Sequence, residues 1–298
     1  MSENTSRNKQ SRLMELHVIN TGFFKLDGGA MFGVVPKALW QKTNPPDSNN
    51  LCTWAMRSLL IEQSNKLILI DTGIGSKQSE KFFSHYFLHG DDCLEGSINK
   101  SGFSIDDITD VILTHLHFDH CGGSVKWGNK EHTYLEPVFK NATFWSNENH
   151  WKWATEPNSR EKASFLKDNI LPIQESGQLR WIDRENQISK NVFENIDMFF
   201  ADGHTESQMI PIINYNGQKI AFTADLLPSV GHIPLPYVMG YDTRPLITLK
   251  EKKSFLEMAE KENISLFLEH DPINECCQLI NTEKGIRLGS THKLADIL

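Results

Sequence analysis

Thr114-His115-Leu116-His117-Phe118-Asp119-His120 decides how this chain is read. Three histidines and an aspartate fall within six residues, directly after the apolar run Val111-Ile112-Leu113. Neutral imidazole and carboxylate are preferred ligands of zinc and of other borderline metals that activate water. A short buried strand delivering four such groups into one loop can serve two ions. His115 and His117 can turn to one, while Asp119 and His120 face another. A purely structural origin is disfavoured, because packed polar groups are costly without partners.

The loop cannot complete two sites alone, so further ligands are expected from distant strand ends. His204 lies in Asp202-Gly203-His204-Thr205, after the strand-like run 198–201. Asp225 follows a hairpin formed by 210–215, the turn Asn216-Gly217 and 219–223. His270 lies in Glu269-His270-Asp271-Pro272, after the apolar run 264–268. Strand ends of stacked sheets lie together at one edge, so separated ligands can converge there. His17, His85, His89, His132, His150 and His292 are assigned ordinary structural roles.

Upstream, strands are expected over 13–26, 54–61 and 66–70, the last ending in Asp71-Thr72-Gly73. Helices are expected around 77–86 and 246–262, with a helix start at Ser104, capped through Asp107. Residues of about 130–180, with Trp145, Trp151 and Trp153 close together, read as a mainly helical insert in one domain spanning 13–298. Residues 1–12 read as a polar, disordered tail.

The 298 residues carry a net charge of −8 and no long basic run, which disfavours a nucleic-acid partner. No apolar stretch reaches the roughly 18 residues of a membrane span. Five scattered cysteines, two of them vicinal, argue against a disulfide framework and for the cytoplasm.

The ordered set His-X-His-X-Asp-His, Gly-His-Thr, a lone Asp and a last His resembles the metallo-β-lactamase superfamily. The resemblance runs from Asp71 to Asp271. It implies an α+β fold, the αββα sandwich, with two stacked mixed sheets and helices outside. It implies that His115, His117 and His204 bind a first metal and that Asp119, His120 and His270 bind a second. Asp225 would bridge the two, and Asp71 would be a buried support. The implied cofactor is two divalent ions, with zinc expected. His117 stands where the electron-transferring di-iron members carry Glu, which disfavours a redox role. Asp225 stands where one lactam-cleaving subclass carries Cys, which weakens the antibiotic-cleaving reading.

Asp27-Gly28-Gly29-Ala30-Met31-Phe32-Gly33 and Ala224-Asp225-Leu226-Leu227-Pro228 resemble the quorum-quenching N-acyl-homoserine lactone lactonases of that superfamily, in the AidC/YtnP-like branch. The implied reaction is lactone opening by a metal-bridging hydroxide, with Asp119 also carrying the proton. The implied partners are a small acylated lactone and a second copy of the chain in a homodimer. An organophosphate triesterase or general esterase on the same site is the alternative, and a non-catalytic metal-binding protein is a further one. Many of these lactonases carry a Tyr three residues after the bridging Asp, where this chain has Pro228. His232 is the expected replacement, as catalytic oxyanion donor and substrate contact. Met31, Phe32, Phe118 and the aromatics near Trp151 are expected to line an apolar groove, with Met31 and Phe118 the strongest substrate contacts.

Overall fold

The computed structural model describes residues 14–297, so the tail expected over 1–12 lies outside the described residues. Strands β1 (Glu15–Asp27), β2 (Leu51–Gln63), β3 (Lys66–Ile70) and β4 (Asp110–Ile112) open the fold. A small hairpin, β5 (Val125–Trp127) and β6 (Leu135–Pro137), precedes β7 (Thr143–Ser146) and β8 (Leu179–Trp181). The second half supplies β9 (Ile188–Phe193), β10 (Ile196–Ala201), β11 (Gln208–Tyr215), β12 (Gln218–Phe222), β13 (Ser265–Phe267), β14 (Cys276–Thr282) and β15 (Gly285–His292). One sheet has the order β1-β2-β3-β4-β7-β8 and the other β15-β14-β13-β12-β11-β10-β9. Parallel pairs β3/β4, β4/β7, β7/β8 and β12/β13 make both sheets mixed.

The layers follow from the two-residue alternation of a strand. Leu59 and Ile61 of β2 face Met198 and Phe200 of β10 in the core between the sheets. Leu60 of β2 turns outward, into a layer with Trp151 and Ile170. Phe199 of β10 turns to Phe255 and Leu256 of the helix Pro245–Lys261. Each such side chain contributes roughly 1.5–3 kcal/mol when fully buried. The result is the expected αββα sandwich.

Residues 130–180 differ from the expected helical insert. Two helices are present, Glu148–Thr155 and Lys167–Glu175, but β7 lies between β4 and β8 within the first sheet. Thr143-Phe144-Trp145-Ser146 alternates partly and fully buried, which is a strand pattern hidden by the tryptophan-rich composition. The helix expected over 77–86 shrinks to the single turn Glu80–Phe83, capped by Ser79. The Ser104–Asp107 capping box forms as expected. No helix among the described residues is long and apolar enough to cross a membrane.

Candidate metal centre

The seven expected ligands meet at one edge of the seam between the sheets. β4 ends at Ile112, and the chain then runs through His115 and His117 into the short turn Phe118–Cys121, which carries Asp119 and His120. Asp71 shapes this loop from below. Its residue sits at φ 57°, and its carboxylate accepts from Thr114 N at 2.8 Å, from the Thr114 hydroxyl at 2.6 Å and from His120 Nδ1 at 3.0 Å. His204 follows β10 on a turn whose Asp202 and Gly203 N–H groups donate to Glu251 at 2.8 and 2.9 Å. Asp225 leaves β12 on a tight turn, Ala224–Leu226. His270 follows β13 and is pinned to the opposite sheet. Ala55 N donates to His270 O at 3.1 Å, and the buried Arg57 guanidinium donates to Leu268 O and Asp271 O.

His115, His117, His204 and Asp225 form one compact group of donor atoms, and Asp119, His120 and His270 form a second. Asp225 joins them. Its Oδ2 lies 3.1 Å from His204 Nε2 and 3.8 Å from His115 Nε2. Its Oδ1 lies 3.0 Å from His270 Nε2 and 3.6 Å from His120 Nε2.

The rings show their lone pairs to one another. His270 Nδ1–H donates to Ala55 O at 2.7 Å, and His204 Nδ1 pairs with the Asp242 carboxylate at 2.9 Å. His120 Nδ1 faces Asp71 and Glu269, and His117 Nε2 faces Glu161. With those distal nitrogens protonated, the inward atoms are bare. His117 Nδ1 then sits 3.1 Å from both His115 Nε2 and His204 Nε2, and His120 Nε2 sits 3.2 Å from His270 Nε2. Tetrahedral zinc with nitrogen at about 2.0 Å spaces its ligands by about 3.3 Å. Asp225 Oδ1 is buried with no hydrogen-bond donor. Bare lone pairs this close, beside an unsatisfied carboxylate, fit bound cations.

The electrostatics agree. Burial lowers the pKa of both His204 and His270, but the Asp225 carboxylate outweighs it and holds them up, to about 10 and about 9. Positive charge is therefore favoured beside Asp225, whereas burial, with the neighbouring rings adding to it, lowers His115 and His117. Glu161 is the reverse case: burial would raise its carboxyl, and the His117 ring, with hydrogen bonds from Thr205 and Asn158, holds it down to about 2.

Residues 57–264 match the Metallo-beta-lactamase superfamily. The chain belongs to that superfamily. It is similar to N-acyl homoserine lactonase AiiA of Bacillus thuringiensis subsp. kurstaki, 24% identical over 235 residues that cover 74% of this chain and 82% of the relative. It is 23% identical to an N-acyl homoserine lactonase of Bacillus cereus over 257 residues, covering 82% of this chain and 88% of that one. A probable metal-dependent hydrolase from Staphylococcus aureus superposes with a TM-score of 0.83 at 25% identity, covering 93% of this chain and 96% of the other. AidC, a dizinc quorum-quenching lactonase, superposes with a TM-score of 0.74 at 24% identity, covering 94% and 95%. Within the superfamily this chain is a metal-dependent hydrolase.

A cavity of about 360 Å³ opens onto the donor atoms. Met31 and Phe118 line it as expected, with Phe24, Leu26 and Met239, while Asp119, His117, His204, Asp225 and His270 form its floor. Gly28 lets the Met31 turn approach so closely, because a Cβ there would meet the Trp40 ring at 2.3 Å. Phe32 is fully buried beneath the wall, and Trp151 packs in the outer core, so neither lines the cavity.

His232 corrects an expectation, since it does not reach the cavity. Its Nε2–H donates to Met31 O at 2.9 Å, and its Nδ1 pairs with the Ser229 hydroxyl at 2.9 Å. Burial pushes its pKa down to about 3. Both nitrogens are spent on the protein, so no donor remains for a substrate. His232 holds the backbone behind Met31 instead.

Tyr86 and Tyr241 line the cavity and escaped the sequence reading. Burial, with Asp119 adding to it, raises Tyr86 to about 12, and Tyr241 is raised too, so both phenols remain donors. Neither lies near a recognised motif. His150 keeps its expected structural role: its Nε2 accepts from Leu116 N at 2.9 Å, between His115 and His117.

Proposed function

We propose that the chain is a dinuclear zinc lactonase that opens the ring of N-acyl-homoserine lactones. The observation carrying this reading is the shape of the cavity, an apolar wall ending on the two joined donor groups. An uncharged lactone head with an acyl tail suits it. An anionic head would meet Asp119 and Glu161, and the guanidinium of Arg160 is already engaged by the carbonyls of Gly240 and Asp242. Similarity to relatives named N-acyl homoserine lactonase supports the same substrate class.

His115, His117 and His204 would hold one ion, Asp119, His120 and His270 the other, and Asp225 would bridge them. Divalent cations held there would supply Lewis acidity to activate water and polarise an ester carbonyl. Asp119 projects from the ligand turn into the cavity, 3.8 Å from His120 and from His270. It is placed to take the proton of the attacking water and return it to the leaving ring oxygen. Tyr86 or Tyr241 supplies the hydroxyl donor to the developing oxyanion. Met31 and Phe118 hold the acyl chain.

The test is kcat/KM on metal-quantified protein for acylated homoserine lactones of several chain lengths and for an aryl phosphotriester. Preference for the lactones by at least a hundredfold is expected. Equal or better cleavage of the phosphotriester overturns the substrate assignment.

A further inference from the structure

His117 differs from its neighbours. His115 and His204 turn Nε2 to the shared point, whereas His117 turns Nδ1. Its Nε2 therefore points away, into the wall formed by the loop before the helix Lys167–Glu175. There it meets Glu161 Oε1 at 3.4 Å. Both atoms are buried and neither completes a hydrogen bond elsewhere. Glu161 is also reached by the Thr205 hydroxyl, but it is the group that His117 Nε2 faces, in an interior where polar groups are almost always paired.

Glu161 is itself locked. Its Oε2 accepts from the Trp153 indole at 2.6 Å and from the Asn158 amide at 2.6 Å. Asn158 Oδ1 also accepts from Glu161 N at 3.1 Å. The Phe165 ring lies 4.8 Å from the His117 ring and limits its rotation. The neighbouring Arg160 ties this loop to the Gly240 and Asp242 carbonyls, and Asp242 in turn holds His204.

We propose that Glu161 is a positioning residue: it fixes His117 as an Nδ1 ligand and so sets the affinity of the His115–His117–His204 site for metal. The inference rests on the two-ion reading given above. It also assigns a task to the tryptophan-rich segment, since Trp153 is there to hold Glu161. Partners of this kind orient a ligating ring and raise its basicity, and their loss typically costs about 10–100-fold in metal affinity.

The test strips the full-length chain of metal, reloads it with Zn2+ alone and competes it against a chromogenic chelator. The wild type should bind two equivalents. In Glu161→Ala one equivalent should weaken by about 10–100-fold while the other keeps its affinity. Glu161→Gln, whose amide oxygen still accepts from Nε2–H, should recover most of the loss. The same Glu161 effect should persist in a His270→Ala background, where a ligand of the other group is removed. Unchanged zinc affinity in Glu161→Ala, or an equal loss at both sites that Gln does not repair, overturns the inference while leaving the two-ion reading intact. A wild-type chain that binds no zinc overturns both.

Discussion

His232 lies flat on Phe32, with ring centroids 4.3 Å apart and planes 7° from parallel. The pair forms the back of the wall that presents Met31. Removing the imidazole leaves a void and an unpaired Met31 carbonyl, so His232→Ala should cost about 2–4 kcal/mol of stability. Turnover at saturating substrate should stay within about threefold, measured at a temperature where the variant is folded. A hundredfold loss of kcat with unchanged stability would restore His232 to the chemistry.

The same residue predicts an acid limit. Its pKa is depressed to about 3 in the fold against about 6.5 unfolded. Between those values the unfolded chain binds a proton that the folded chain refuses. Stability therefore rises with pH from about 3 to about 6.5 and is lost on acidification through that window, by at most about 1.4 kcal/mol per pH unit. Chemical denaturation from pH 4 to pH 7 should show a shallower slope for His232→Gln than for the wild type. Parallel slopes would contradict this account.

Asp225 faces a histidine of each donor group with a separate oxygen. In Asp225→Asn one oxygen becomes an amide nitrogen that donates rather than accepts. Elemental analysis should show less than the full metal content, and lactone turnover should fall by at least about a hundredfold. Full metal content with near-normal turnover would show that the bridge is unnecessary.

Two phenols compete for the role of oxyanion donor. A single lost donor of this kind costs about 10²–10³ in kcat. One of Tyr86→Phe and Tyr241→Phe should show such a loss with intact metal content, and the other should change KM alone. If both variants keep wild-type kcat, the hydroxyl donor is absent from the mechanism.

Much of this molecule was legible in its sequence, for a physical reason. Metal ligands must be particular residue types, so the cluster from His115 to His120 stands out by itself, whereas His204, Asp225 and His270 stand out only through the resemblance to the superfamily pattern. The hairpin of β11 and β12 was legible because Asn216-Gly217 suits its tight turn. β7 was not, because four residues carry too little alternation to compete with their tryptophan-rich surroundings. Glu161, Asp242, Tyr86 and Tyr241 were invisible for another reason. They act through tertiary approach from irregular loops, and a lone Glu or Tyr in a loop has no periodicity or spacing to announce it. His232 misled because closeness to Asp225 in sequence suggested closeness to the cavity, whereas the turn between them buries the ring on Phe32.

The donor atoms come from opposite halves of the chain, four from the loop after β4 and three from the ends of β10, β12 and β13. During synthesis, the nascent chain can offer His115, His117, Asp119 and His120 long before their partners exist. The centre closes only once His270 has been made and its ring has reached Ala55. Of these donors, a truncation ahead of β13 would thus remove His270 alone, leaving the His115, His117, His204 and Asp225 group whole and the Asp119 and His120 group one donor short.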